Sequence, residues 1–219
     1  MTTGTLTGRQ IAETTPDGWA NLLGGLQTRI HMADFGTGLA FVNAVAAVAE
    51  RMGHHPDLDL RYHHVDIRLT SHDAGGITDR DIQLAQAISA LAKVAGLETH
   101  CDSVSRIELA LDSPALQSVR PFWAAALAMD ALPPPAPPDE IRDRFGATPV
   151  IWFQESDSDE PRQRWHLDVW VSPDQVEARM RAAVGAGGTV VSDAEAPAFW
   201  VLADPEGNRV CLCTWQDRG

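Results

Sequence analysis

The stretch GLAFVNAVAAVAERMGHHPDLDLRYHHVDIRLTSH, residues 38–72, decides the first half of the fold. Phe41, Val42, Val45, Val48, Ala49 and Met52 recur at three- and four-residue spacing, which lays one apolar stripe along a helix over residues ~38–52. Gly53 stops that helix, since glycine enters the left-handed conformation without a Cβ penalty. His54-His55-Pro56-Asp57 follow, and from Tyr62 to Thr70 the residues Val65, Ile67 and Leu69 alternate with His64, Asp66 and Arg68. That period of two predicts a half-buried strand with a polar outer face.

On either side, the same logic extends the pattern. Residues 71–76, from Ser71 to Gly76, read as a turn, and Thr78 with Asp81 three positions on forms a capping box for a second helix bearing Ile82, Ala85, Ile88 and Leu91. Leu26 to Met32 is a weaker strand, and Gly36-Thr37-Gly38 reads as the turn before the first helix. Helices and antiparallel strands segregated in this way predict a small α+β domain, an antiparallel sheet with helices on one face. Gly96 sits at a helix C-terminus and the segment to Ser103 precedes a new strand, which sets two domains, 1–100 and 101–219.

The second half repeats itself. Ile107 to Leu111, Ser113-Pro114 and an alanine-rich helix ending at Ala128 are echoed by Leu167 to Val171, Ser172-Pro173 and a helix ending at Gly185. In each pair serine is expected to cap the helix, with proline at its first position, where no amide hydrogen is needed. Further strands are expected at Val150–Gln154, Thr189–Ser192, Ala198–Ala203 and Arg209–Trp215, with a turn at Asp204–Asn208. The result is a paired βαβββ arrangement.

Composition narrows the function. Of 219 residues, 17 are basic and 30 acidic, a formal net charge of −13, which disfavours phosphate backbones and anionic membrane surfaces, so neither nucleic acid nor membrane is an expected partner. Cys101, Cys211 and Cys213 cannot all pair, which suits a reducing compartment. No basic start followed by an apolar core opens the sequence, and the expectation is a soluble cytoplasmic protein.

Five of the eight histidines lie between His54 and His72. An imidazole exchanges protons near neutrality, and His54 and His55 directly follow a helix C-terminus, which suits an acid–base pair. Glu50, His54-His55-Pro56, Tyr62, His72 and Asp81, in that spacing, resemble the pterin-4a-carbinolamine dehydratase family, and so do Gly18-Trp19, Phe41-Val42 and the run from His72 to Thr78. The likeness covers residues ~5–96. It implies a hydro-lyase that dehydrates a 4a-hydroxytetrahydropterin to the quinonoid dihydropterin without metal or organic cofactor. By that resemblance His54, His55 and His72 are catalytic, while Glu50, Pro56, Ser71 and Asp73 line the pterin pocket. It also implies a homo-oligomer, dimer or tetramer, and a metabolic link to an aromatic amino-acid hydroxylase. Asp81 reads as a helix cap, and His63 and His64 as structural or solvent-facing.

Phe122-Trp123 with the alanines after it, Trp152-Phe153-Gln154, His166-Leu167-Asp168 and Asp204 to Asn208 resemble the glyoxalase/bleomycin-resistance, or vicinal oxygen chelate, superfamily over residues ~104–216. Metal-dependent members draw His, Gln or Glu from four strands. Here His166 stands at one such position, Cys211 occupies the last-strand position, and the first strand offers Glu108 but no histidine, so the set is incomplete. Trp123, Trp152, Phe153, Trp170 and Trp200 are expected in the core, with a tryptophan-rich sheet able to hold a flat ligand. Two alternatives stand beside the dehydratase: a binding protein for a small aromatic molecule, and a metal-dependent lyase or dioxygenase in the second domain.

Overall fold

In a computed structural model of the chain, residues 4–102, 104, 106, 108–130, 139–144, 146–155, 167–171, 176–214 and 216–217 are described. The chain divides into two compact units, Met1–Arg106 and Ile107–Gly219. The first runs α1 (Gly8–Thr14), β1 (Ala20–Leu22), β2 (Gly25–His31), α2 (Phe35–Met52), β3 (Asp57–Leu60), β4 (His64–Leu69), α3 (Asp79–Val94) and β5 (Thr99–His100). Its sheet has the order β1-β2-β4-β3, with β5 also on β2, and every pairing is antiparallel.

The apolar stripe of α2 and the alternating residues of β4 meet in one core. Val65, Ile67 and Leu69 are buried with Leu26 and Ile30 of β2, against Phe41, Val45 and Val48 of α2 and Ile82, Ala85 and Ile88 of α3. The other face of the sheet is polar, and there Asp66 accepts two hydrogen bonds from Arg29 at 2.6 and 2.7 Å, holding that guanidinium above its ordinary value.

Helix α2 begins earlier than the stripe suggests. Asp34 caps it by accepting the Thr37 amide at 2.7 Å, so Gly36 and Gly38 lie inside the helix instead of in a preceding turn. Gly38 is there for space: a Cβ would stand 2.7 Å from Leu60 Cδ1 and 2.8 Å from Met32 Sδ, so glycine lets β3 approach the helix.

The second unit is built twice on one plan. β6 (Glu108–Ser113), α4 (Leu116–Leu127), β7 (Glu140–Ile141) and β8 (Val150–Glu155) form a sheet of order β6-β8-β7, in which β6 and β8 are parallel. β9 (Leu167–Trp170), α5 (Val176–Gly185), β10 (Thr189–Ser192), β11 (Phe199–Ala203) and β12 (Arg209–Cys213) form a sheet of order β10-β11-β12-β9, with β9 and β12 parallel. In both, the strand before the helix returns beside the last strand. Phe122, Phe153, Ile151, Leu202 and Leu212 are fully or almost fully buried, and Trp123 donates its indole N–H to the buried Asp204 at 2.9 Å. Trp152 and Trp200 are only half-buried, and the side chain of Trp170 lies outside the described residues.

The serine-proline expectation fails where it can be examined. α4 starts at Leu116 with Ala115 at its N-cap and no side-chain cap. Ser113 instead ends β6, accepting the Ala115 amide at 3.0 Å and donating to Glu206 at 2.7 Å. Its hydroxyl closes the strand-to-helix turn and ties it to the β11–β12 connection, so the helix opens two residues late. The second pair, Ser172-Pro173, lies outside the described residues.

Candidate active site

The first histidine is placed by the way α2 ends. Gly53 adopts the left-handed conformation (φ 59°), its amide reaches Glu50 O at 3.2 Å, and the His54 amide turns back to Ala49 O, also at 3.2 Å. This double closure satisfies the last helical carbonyls and fixes the exit of the chain. The His54 side chain is therefore sent inward, 7% exposed. Pro56 stiffens the exit, and Asp57 begins β3.

Waiting inside is Asp81, 0% exposed, whose Oδ1 lies 2.7 Å from His54 Nε2. Its Oδ2 accepts from the Ser71 hydroxyl at 2.7 Å, the Thr78 amide at 2.7 Å and the Thr78 hydroxyl at 3.2 Å. The capping box read from the sequence is present, but the same carboxylate has a second duty, as partner of a histidine 27 residues earlier in the chain. A burial this complete is tolerable because both carboxylate oxygens meet donors. Among the described residues no buried polar side-chain atom lacks a partner.

The other named residues surround this buried pair. His55 and Glu50 are exposed and 3.2 Å apart, a surface pair worth little to stability, which leaves the imidazole accessible. Pro56 is half-buried. His72 is exposed on the turn that Ser71 and Gly76 close by backbone pairing. Asp73, next to it, receives Arg80 Nη2 at 2.5 Å, and this hydrogen bond holds its carboxyl below the usual range. Ser71 departs from the role given to it: it is 1% exposed and its hydroxyl is engaged by Asp81 and Thr78, so it supports the site from beneath instead of facing a ligand. The chain His54–Asp81–Ser71 thus brings the two histidine-bearing loops to the N-terminus of α3.

Sequence reasoning underrated Asp81. A single capping role accounts for its position in the helix, and only its place in the spaced family pattern signalled anything further. Thr78, the other half of the box, was likewise read as a cap and also contacts Ser71 at 2.8 Å. His63 is exposed against the edge of the Tyr62 ring, and His64 pairs across the sheet with His31 on its outer face.

In the second unit Cys211 is buried on β12, aligned with Asp168 of β9. His166 and the Glu108 side chain lie outside the described residues. Among the described residues, no three His, Cys, Asp or Glu side chains stand in an arrangement that could hold a metal ion. No helix there is long and apolar enough to cross a membrane.

Comparison with known proteins gives this geometry its context. The family described as pterin 4 alpha carbinolamine dehydratase matches residues 4–91, and that described as a glyoxalase-like domain matches residues 108–213. A Nocardia farcinica protein provisionally named pterin-4-alpha-carbinolamine dehydratase is 41% identical over 95 residues, 42% of this chain and 100% of its own length. A Chloroflexus aggregans protein with the same provisional name is 56% identical over 57 residues, 26% of this chain, and the match spans 61% of that protein. A Brucella melitensis crystal structure described as a transcriptional coactivator/pterin dehydratase shares 30% identity over 41% of this chain and 99% of its own, with a TM-score of 0.39. The chain belongs to the pterin carbinolamine dehydratase family through its first unit, and carries a glyoxalase-like domain in its second.

Proposed function

We propose that the first unit removes water from a 4a-hydroxytetrahydropterin to give the quinonoid dihydropterin. In that reaction the C4a–O bond breaks, N5 gives up its proton, a C4a=N5 double bond forms, and the hydroxyl leaves as water after gaining a proton. One group must accept a proton while another donates one, and neutral and protonated imidazoles near pH 7 serve both ends without a metal or organic cofactor. His54, His55 and His72 are the groups assigned to these transfers, with Glu50, Pro56 and Asp73 beside the pterin and Ser71 behind it. The observation that carries the reading is the 2.7 Å contact between buried His54 and buried Asp81. A carboxylate fixed on one ring nitrogen leaves the other for substrate and steadies the imidazolium when it forms.

In this reading the chain is a cytoplasmic homo-oligomer, and its substrate comes from a reaction that hydroxylates a tetrahydropterin at C4a, as an aromatic amino-acid hydroxylase does. The glyoxalase-like domain accompanies the catalyst with a ligand of its own. Stopped-flow ultraviolet spectroscopy of 4a-hydroxytetrahydropterin decay, with the full chain and with His72→Ala, is the direct test. Acceleration by the full chain and its loss in the variant support the dehydratase. No acceleration by either would overturn it in favour of a binding protein for a small aromatic molecule.

A further inference from the structure

We infer that Ser71 is a positioning residue that couples the two histidine-bearing loops, acting on His54 through its hydroxyl and on His72 through its backbone. This rests on the dehydratase reading of the site and goes beyond it in assigning to a residue that faces no ligand a share in the rate.

Ser71, Thr78 and His54 converge on the Asp81 carboxylate. Ser71 has one hydroxyl proton, and it goes to Asp81 Oδ2 at 2.7 Å. The Thr78 hydroxyl stands 2.8 Å from Ser71 Oγ and 3.2 Å from Asp81 Oδ2, so its single proton points to one or the other, and its oxygen accepts the Arg80 amide at 3.2 Å. The Thr78 amide adds another donor to Oδ2 at 2.7 Å. As a carboxylate oxygen, Oδ2 accepts from these donors. The remaining oxygen, Oδ1, is directed at His54 Nε2, and because a carboxylate only accepts, the hydrogen between them sits on Nε2. Nδ1 is thereby left as the nitrogen that exchanges a proton with substrate, a tautomer set by the hydrogen-bond network.

The backbone of the same residue roots the second loop. The Ser71 amide donates to Gly76 O at 3.0 Å, and its carbonyl accepts the Ala74 and Gly75 amides at 3.0 and 2.9 Å. These bonds close the turn on which His72 is the first exposed residue. Anchoring the Ser71 side chain to Asp81 therefore fixes where His72 begins relative to where His54 ends. Without the hydroxyl, Oδ2 loses a donor, the Thr78 hydroxyl loses one of its partners, and the root of the His72 turn is no longer tied to the buried pair.

The test uses the full chain and compares wild type, Ser71→Ala and Ser71→Thr by dehydration kinetics and by the imidazole ¹⁵N shifts of His54. Loss of one hydrogen bond in the network is expected to lower kcat about tenfold in Ser71→Ala. KM should stay within about twofold, because the side chain does not touch substrate. The His54 shifts should move from a single Nε2–H tautomer toward a mixture, and Ser71→Thr, which restores the hydroxyl, should recover the wild-type tautomer and most of kcat. A folded Ser71→Ala with wild-type shifts, or with a changed KM and unchanged kcat, would overturn the inference. If wild type itself fails to dehydrate the pterin, the dehydratase reading falls, while the tautomer comparison still decides whether Ser71 governs His54.

Discussion

Each unit buries one aspartate against four donors, and the two differ in a single respect. Asp81 in the first unit meets a histidine, two hydroxyls and an amide. Asp204 in the second accepts the Trp123 indole and the Asn208 side-chain amide on Oδ2, and the Glu206 and Asn208 backbone amides on Oδ1. Both are nearly inaccessible, at 0% and 3% exposure, and both organise a local turn or cap. Yet none of the Asp204 donors is of a side-chain type that exchanges protons near neutrality, whereas one of the Asp81 donors is an imidazole. A satisfied buried carboxylate is architecture by default. In the dehydratase proposed above Asp81 becomes part of the chemical site, because its partner is an imidazole and the loops around it carry His55 and His72.

The contrast breaks most sharply under amide substitution. Asp81→Asn preserves shape but confronts the donors with an NH₂ group and removes the charge opposite His54. Dehydration should fall by about 10²–10⁴-fold, the usual range for a disabled acid–base group. Stopped-flow rates at constant circular dichroism would check this, and a rate within twofold of wild type would make Asp81 as structural as Asp204. Asp204→Ala should do the reverse. It strands the Trp123 and Asn208 donors, costs about 1–3 kcal/mol of unfolding free energy and leaves dehydration unchanged. Six of the seven tryptophans belong to residues beyond 107, so denaturant unfolding followed by tryptophan fluorescence reports mainly on that unit.

The contrast was only half visible in the sequence. Periodicity located α2 and β4 because one face of each is apolar and the other is not, and the strand–helix plan of the second unit showed instead as an internal repeat. The capping box was legible because its partners lie three residues apart. β3 was missed: Asp57 and Asp59 give it an acidic edge, and with four residues its alternation carries too little signal. β5, with two residues, exists only because β2 offers an open edge. For the site, spacing and family resemblance named the histidines, but the bond from His54 to Asp81 spans 27 residues and Ser71 turns inward, both outcomes of tertiary packing that no local pattern encodes.

A smaller effect is expected where the chain leaves α2. No atom would crowd a Cβ on Gly53, so the penalty for Gly53→Ala is that of the left-handed backbone alone, about 1–2 kcal/mol. Relaxing that conformation also moves the His54 amide off Ala49 O. Thermal unfolding should show the loss, and dehydration should drop several-fold with little change in secondary structure. Gly53→Asn should be milder on both measures, because asparagine visits the left-handed region more readily. Equal penalties for alanine and asparagine would mean that the helix exit is not held by backbone conformation.

The smallest expected effect lies at the rim. Arg80, by hydrogen bond and then by charge, holds the exposed Asp73 carboxyl below its ordinary value. A carboxyl depressed in the folded state stabilises the fold fully above its unfolded value, near 3.9, and loses that contribution as pH falls through the folded value. Near neutrality Asp73→Asn should therefore melt slightly below wild type, and the two should converge once pH has fallen below the folded value. The difference is small because both side chains are largely in water, 70% and 43% exposed. It isolates one question about the His72 loop, namely whether charge helps to hold it. A melting difference that persists unchanged at low pH would assign the restraint to the turn hydrogen bonds of Ser71 alone. The loop would then depend wholly on the network that ends at Asp81, and variants of Ser71 would disturb His72 more than variants of Arg80 do.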